Sequence, residues 1–275
     1  MSDSFLPPPG NRWNEGVLDL TDPAYLQLFE DAPWQLDNGV LHDQDFELFR
    51  HCRYLAPVIM DIGANKGQSV ASFLTIFPRA SLHCFECNPL LLPVLLNLRD
   101  RRPEACRNLT IHEHGLSTQD GFVKFSTPIV DGRILLEETT DNPAVEFEKH
   151  QNRYDDYRAG DDQASLTAYQ FLARVRRGDA LALRPDIVKI DVEGGEPAVI
   201  AGLLDTITET LPLILAETSS FHEVNALLFP LGYHTYMAGD DGDVVPLSRG
   251  RANVLYIHPA RHQHFEDGSL VPVMG

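Results

Sequence analysis

Basic residues are scarce in this chain: 22 Lys and Arg stand against 40 Asp and Glu, a formal net charge of −18. A surface of that sign repels phosphate backbones and anionic headgroups, so neither nucleic acid nor a membrane surface is expected as a partner. Cysteine is also sparse. Cys52, Cys84, Cys87 and Cys106 show no framework spacing, which excludes a disulfide scaffold and fits a reducing, cytoplasmic setting. No apolar run approaches the ~20 residues of a membrane span. Met1 to Gly10 is polar and then Pro-rich, without the basic and apolar regions of a leader. Internal repeats are lacking too. What remains is ordinary globular composition, 43% hydrophobic and 23% charged over 275 residues, enough for one large domain or two small ones.

From about Pro57, short β-branched runs alternate with helical stretches, the pattern of βαβ units around a mainly parallel sheet. Val58 to Gly63 reads as a strand and a Gly-rich turn, and Lys66 to Phe77 as a helix with Val70, Phe73, Leu74 and Phe77 on one face. Ser81 to Glu86 is a second strand leading through Asn88-Pro89 to a helix over Leu90 to Leu98, and Leu109 to His114 a third strand. Phe122 to Ser126 alternates like an edge strand or hairpin arm. Residues 128–164, rich in Asp, Glu, Asn and Pro, form an insertion, read either as a solvated loop or as a lid. Ser165 to Arg177 is predicted helical, with Leu166, Tyr169, Leu172 and Ala173 on one face. Asp186 to Val192 is apolar enough for a strand buried on both faces. A helix from Pro197 to about Thr208, a strand Leu213 to Glu217, a helix through Val224 to Phe229, and a closing antiparallel pair near Tyr233 to Met237 and Asn253 to His258 complete the core. Residues 1–56, with Trp13, Tyr25, Phe29, Trp34, Phe46 and Phe49, read as an N-terminal helical cap on a core of 57–275.

Chemistry-bearing residues gather at predicted strand ends. Asp61-Ile62-Gly63-Ala64-Asn65-Lys66-Gly67 is a strand-to-helix turn whose glycines let a ligand approach the backbone. Its spacing matches neither G-x-G-x-x-G nor G-x-x-x-x-G-K-[ST]. Glu86 ends the next strand, 25 residues after Asp61, where an acidic group typically accepts from ribose hydroxyls. In Lys189-Ile190-Asp191-Val192-Glu193-Gly194-Gly195-Glu196, strand alternation puts Lys189, Asp191 and Glu193 on one side, costly in a buried sheet unless they bond one another or a ligand. Glu217 ends the fifth strand and His222 follows five residues later. Together with Gly115, these positions mark the rim where open α/β sheets bind ligands.

The order of these motifs, with Glu86-Cys87-Asn88-Pro89, Val199 and Gly202, resembles the FkbM family of S-adenosylmethionine-dependent methyltransferases over about Val58 to His258. The resemblance implies an α/β class I (Rossmann-like) methyltransferase fold, a seven-stranded, mostly parallel sheet with helices on both faces, beneath the N-terminal cap. It implies S-adenosyl-L-methionine as cofactor. Asp61, Gly63, Asn65 and Gly67 would hold its methionine part, Glu86 its ribose hydroxyls, and Leu116 and Ser117 its adenine, with Ala64, Cys87 and Asn88 alongside. Asp191 would face the ammonium and the reaction centre. Ser165-Leu166-Thr167 stands where family members usually carry Thr-Leu-Asp, a departure from the pattern.

The expected activity is O-methylation of a hydroxyl on a sugar, glycan or secondary metabolite, with His222 or Asp191 as base and Glu193 and Glu217 orienting the acceptor. N-methylation of a natural product or peptide, and a non-catalytic cofactor-binding regulator, are the alternatives. No metal site is assigned. Cys84 and Cys87 lack a second pair, and His112 and His114 read as surface or supporting histidines. His262 and His264 read as a solvated tail. Arg99, Arg101 and Arg102, like Arg174, Arg176 and Arg177, read as helix C-terminal cations. The sequence leaves oligomeric state open.

Overall fold

The computed structural model describes residues 30–130, 133–134, 166–239, 243–247 and 253–271. Trp13, Tyr25 and Phe29 of the expected cap, and residues 135–164 of the insertion, lie outside that set. The described part of the cap is helix α1 (Asp31–Asn38) and a 3-10 turn over Gln44–His51. Phe46 and Phe49 of that turn wedge against Phe73, with ring centroids 4.9 and 5.4 Å away. Residues 30–56 therefore share the core of the sheet.

The first strands are β1 (Val58–Ile62), β2 (Ser81–Phe85), β3 (Leu109–His112) and β4 (Gly115–Ser117). Helices α2 (Gln68–Ile76) and α3 (Leu92–Arg101) follow β1 and β2. Next come β5 (Gly121–Val130), β6 (Arg133–Ile134), β7 (Leu166–Arg177) and β8 (Ile187–Ile190). Helices α4 (Glu196–Gly202) and α5 (Leu204–Thr210), β9 (Leu213–Glu217) and α6 (Phe221–Leu228) precede β10 (His234–Ala238), β11 (Val244–Pro246) and β12 (Asn253–Ile257).

Eight of these strands make one sheet in the order β11-β10-β12-β9-β8-β1-β2-β3. The five from β9 to β3 run parallel, and β12, β10 and β11 run antiparallel. This is one strand more than the seven expected, because β11 adds an edge beyond β10. Two apolar clusters cover the faces. Phe46, Phe73, Leu82 and Leu95 pack on one side, and Met60, Ile190, Val199 and Tyr256 on the other. Charged side chains in the parallel strands are thereby forced toward the strand ends, where partners or solvent remain.

A second, four-stranded sheet, β4-β7-β5-β6, corrects the predicted helix over Ser165 to Arg177. That segment is β7, paired antiparallel with β5 from Gly121↔Val175 to Val130↔Leu166. The helical reading needs Leu172 in the core, yet Leu172 is 69% exposed while Phe171, Ala173 and Val175 are buried. A period of two governs because β5, expected only over Phe122 to Ser126, extends through Val130 and supplies a long ladder. Arg174, Arg176 and Arg177 accordingly stand near a strand end. Arg177 bonds Asp179 at 3.0 Å and Asp205 at 2.8 Å.

The tail is also packed. His262 and His264 lie in a 3-10 turn over Pro259–His264, with His264 stacked on Tyr54 at 4.7 Å and Arg261 donating to the carbonyls of Leu211 and Thr210. Of the other arginines, Arg101 and Arg102 tie α3 to Glu30 and to Asp37 of α1. Among the described residues no helix is long and apolar enough to cross a membrane.

A histidine row runs along β2 and β3. His112 lies flat on Phe85, centroids 4.3 Å apart at 7°, with its Nε2 3.1 Å from His83 Nδ1, and His114 meets the same Phe85 edge-on. Burial, with His83 and Arg176 adding, pulls His112 down to about 4, and burial with His112, Arg176 and Arg174 does the same to His114. Unfolded histidines bind protons near pH ~6.5. The folded chain binds them only nearer 4, so stability is full above ~6.5 and falls as the pH drops. The melting temperature is expected to fall between pH 7 and 5, and His112→Phe, which keeps the stacking, to make that fall shallower; an unchanged slope contradicts this.

Candidate active site

The turn after β1 is fastened to its neighbours. The N–H groups of Gly63 and Ala64 both donate to the Phe85 carbonyl, at 3.0 and 3.1 Å. Gly63 adopts φ 83°, and a Cβ there would stand 1.8 Å from the Asp191 carbonyl oxygen. Only glycine fits where the end of β1 slides under the end of β8. Asn65 is also left-handed at φ 48°, and Gly67 caps α2.

Glu86, just past β2, holds this turn from the other side. Its Oε2 accepts the Asn65 N–H at 2.9 Å and its Oε1 the Asn88 N–H at 2.7 Å. Asn88 in turn accepts the Leu90 N–H at 3.0 Å, shaping the approach to α3. Burial pushes the Glu86 carboxyl up, opposed by the N–H groups of Asn88, Asn65 and Cys87. A carboxylate offers about four acceptor sites, so acceptor capacity remains beyond these three backbone N–H groups. Asn65 Oδ1 is buried with no partner, a state costing about 1–3 kcal/mol unless a donor arrives. Burial also keeps the Cys87 thiol protonated, far above its usual range.

Lys189 is the centre of the arrangement. It is buried, and its Nζ lies 3.0 Å from Asp191 Oδ2, 3.3 Å from the Gly63 carbonyl and 3.8 Å from Asp61 Oδ1. Burial alone would pull the ammonium down, but Asp191 and Asp61 outweigh it and hold it above its ordinary value. The resemblance places Asp61 on the methionine part of the cofactor. The structure instead buries Asp61 completely and bonds its Oδ2 to Ser69 Oγ at 2.6 Å. Burial pushes the Asp61 carboxyl up, so Asp191, half open to solvent, carries the main counter-charge. Asp61 serves the cleft through Lys189.

Strand alternation holds for Lys189 and Asp191 and fails for Glu193. The strand stops at Ile190, and Glu193 sits exposed at φ 54° in the following turn. Glu196 closes that turn, accepting the Gly194 N–H at 2.9 Å and the Val192 N–H at 3.3 Å. Its Oε2 also takes the Thr218 hydroxyl at 3.2 Å, which links the end of β8 to the end of β9. There Glu217 meets solvent, its carboxyl raised by partial burial and by Asp191. His222 is exposed on the first turn of α6, edge-on to Phe221 at 6.4 Å. Leu116 is buried in the cluster that holds Phe85 and Ile62. Ser117 is half-buried, and its carbonyl lies where a Cβ on Gly202 would come within 2.0 Å, so α4 is pressed onto β4.

The structure thus brings Gly63, Asn65, Glu86, Asp191 and Glu217 to one rim. It adds Lys189 and Glu196, visible in the sequence as charges in an apolar stretch, and His42 with Asp43, for which the sequence offers no periodic or motif signal. His42 bonds Ser72 of α2 through both its N–H and its Nδ1, each at 3.0 Å.

Comparison with known proteins agrees with this fold. A family model described as the methyltransferase FkbM domain matches residues 61–235. A curated protein of Sinorhizobium fredii (strain NBRC 101917 / NGR234), 2-O-methyltransferase NoeI, is 28% identical over 170 residues, 56% of this chain and 60% of its own. A crystal structure of methyltransferase FkbM from Methylobacillus flagellatus KT superposes with a TM-score of 0.51 at 17% identity, covering 88% of this chain and 56% of that one. This chain therefore spans less than two thirds of either relative, and the solved structure supports the fold alone.

Removing the central cation provides a direct test. Lys189→Met leaves Asp61 in the core without its cation, and a loss of up to about 3–5 kcal/mol in urea-induced unfolding is expected where Asp61 would ionise. Asp61→Asn added to Lys189→Met should recover a large part of it, whereas strictly additive losses contradict the pairing.

Proposed function

The chain belongs to the FkbM methyltransferase family, and we propose that it transfers a methyl group from S-adenosylmethionine to a hydroxyl of a sugar, glycan or secondary metabolite. The observation that carries this reading is the Glu86 carboxylate bonded into the Gly63–Gly67 turn, with Asp191 beside it. The donor set fits the cofactor. Vicinal ribose hydroxyls suit the remaining acceptor sites of Glu86, and the orphaned Asn65 Oδ1 needs a donor. A cationic ligand suits a rim carrying Asp191 and Glu217. When bound, S-adenosylmethionine supplies a methyl group activated on a sulfonium.

In this reading Glu86 holds the ribose, Gly63 and Asn65 the methionine part, and Asp191 its ammonium. Ala64, Gly67, Cys87, Asn88, Leu116 and Ser117 shape the walls, and Glu217 orients the acceptor. The chain's contribution is alignment of acceptor and methyl for in-line displacement, an effect worth up to ~7–11 kcal/mol. The O-methylation preference draws on the name of the curated relative, a 2-O-methyltransferase. The acidic balance of the chain argues for a neutral small molecule or glycan over a polyanionic acceptor.

Calorimetry with S-adenosylmethionine tests the cofactor, and Glu86→Gln is expected to weaken binding by roughly 10–100-fold. Absence of heat at millimolar cofactor contradicts the proposal. Mass spectrometry across methyl glycosides of hexoses and deoxyhexoses, with amines as the comparison set, is expected to show one added methyl on a hydroxyl. Methylation confined to amines would overturn the O-methyl assignment.

A further inference from the structure

We propose that His42, carried to the cleft by the N-terminal segment, takes the proton from the acceptor hydroxyl, a role the sequence offers to His222 or Asp191. The assignment rests on the methyl-transfer reading above.

Hydrogen bonding fixes how the ring presents itself. Ser72 Oγ lies 3.0 Å from both the His42 N–H and His42 Nδ1, and 3.1 Å from the Gln68 carbonyl. A hydroxyl has one proton and two lone pairs. If the proton goes to Gln68, both lone pairs are used, one by the His42 N–H and the other by Nδ1–H. The neutral ring is then the Nδ1–H tautomer, with its Nε2 lone pair as the open acceptor. Phe46, edge-on at 4.6 Å, braces the ring plane.

The surroundings put the ring beside the charged rim. Partial burial and the Lys189 ammonium pull His42 down to about 4, while Asp43 and Asp191 pull the other way. The same Lys189, Asp191 and Asp43 act on Glu217. Asp43 also accepts from Asn253 at 3.4 Å, and Asn253 is the register partner of Glu217. His42 and Asp43 thus complete the rim that Lys189, Asp191 and Glu217 begin. Ser72 belongs to α2, the helix that opens at Gly67, so one rigid element sets both the cofactor turn and the base.

The chemistry balances with these groups. As the oxygen–methyl bond forms, the carbon–sulfur bond breaks with its electron pair to sulfur. The hydroxyl proton passes to Nε2 and then to solvent, which the ring meets at the rim. An oxygen gaining a methyl becomes strongly acidic, so a weak base that is unprotonated at neutral pH suffices. Asp191 Oδ2 is meanwhile engaged by Lys189, and among the described residues the His222 ring has only its neighbour Phe221 edge-on at 6.4 Å, where His42 is held by Ser72 and Phe46.

The test uses the full chain labelled with 15N-histidine, with His42→Gln assigning the resonance. The expected result is a neutral Nδ1–H tautomer with a titration midpoint below ~5. An Nε2–H tautomer, or a midpoint near ~6.5, overturns the proposal. His42→Gln is further expected to bind S-adenosylmethionine within about twofold of the native chain while methyl transfer to the glycosides of the screen falls at least ~100-fold. Transfer retained within threefold also overturns it. Failure of the native chain to bind the cofactor would speak against the methyl-transfer reading itself, not against the tautomer.

Discussion

A single buried ammonium organises the rim of this sheet. An uncompensated charge in such a place would cost several kcal/mol, and Lys189 is compensated from three directions, by Asp191, by the Gly63 carbonyl and by Asp61. Each of those partners sits at the end of a parallel strand, so the ion pair fixes the relative heights of β1 and β8. That is what brings the Gly63 turn within 1.8 Å, by its missing Cβ, of the Asp191 carbonyl. The cleft is shaped by a cation that does not line it as a ligand.

The division of labour among carboxylates follows from burial. Asp61, sealed in the core, is pushed toward neutrality and acts as a positioning group. Asp191, half open, pairs with the ammonium at 3.0 Å. Glu86 is buried, pushed up by that burial and opposed by backbone N–H groups on both its oxygens. Glu196 spends its charge on the turn geometry after β8. Four acidic residues that look alike in sequence therefore serve as strut, counter-ion, loop clamp and turn clasp.

Much of the cleft was legible in the chain itself, because glycine at a strand-to-helix turn and acids at strand ends are local features that report backbone demands. The Gly63 turn, Glu86 and Asp191 needed no tertiary knowledge. The alternation argument for Glu193 failed because β8 ends at Ile190 and the chain turns left-handed at Glu193. The helix read into Ser165 to Arg177 failed because its apolar residues satisfy two periods at once, and only the partner β5, brought alongside from beyond residues 131–165, decides between them. His42 was invisible for a related reason. Its position depends on Ser72, 30 residues away, and nothing in its own neighbourhood distinguishes it from a surface histidine.

The most direct test of the whole arrangement is a crystal structure of the full chain grown with S-adenosylhomocysteine. The account predicts ribose hydroxyls on the Glu86 carboxylate, a donor on Asn65 Oδ1 and the amino group beside Asp191, with the Lys189 contacts unchanged. A nucleoside bound elsewhere on the molecule, or held at this rim without Glu86, would contradict it.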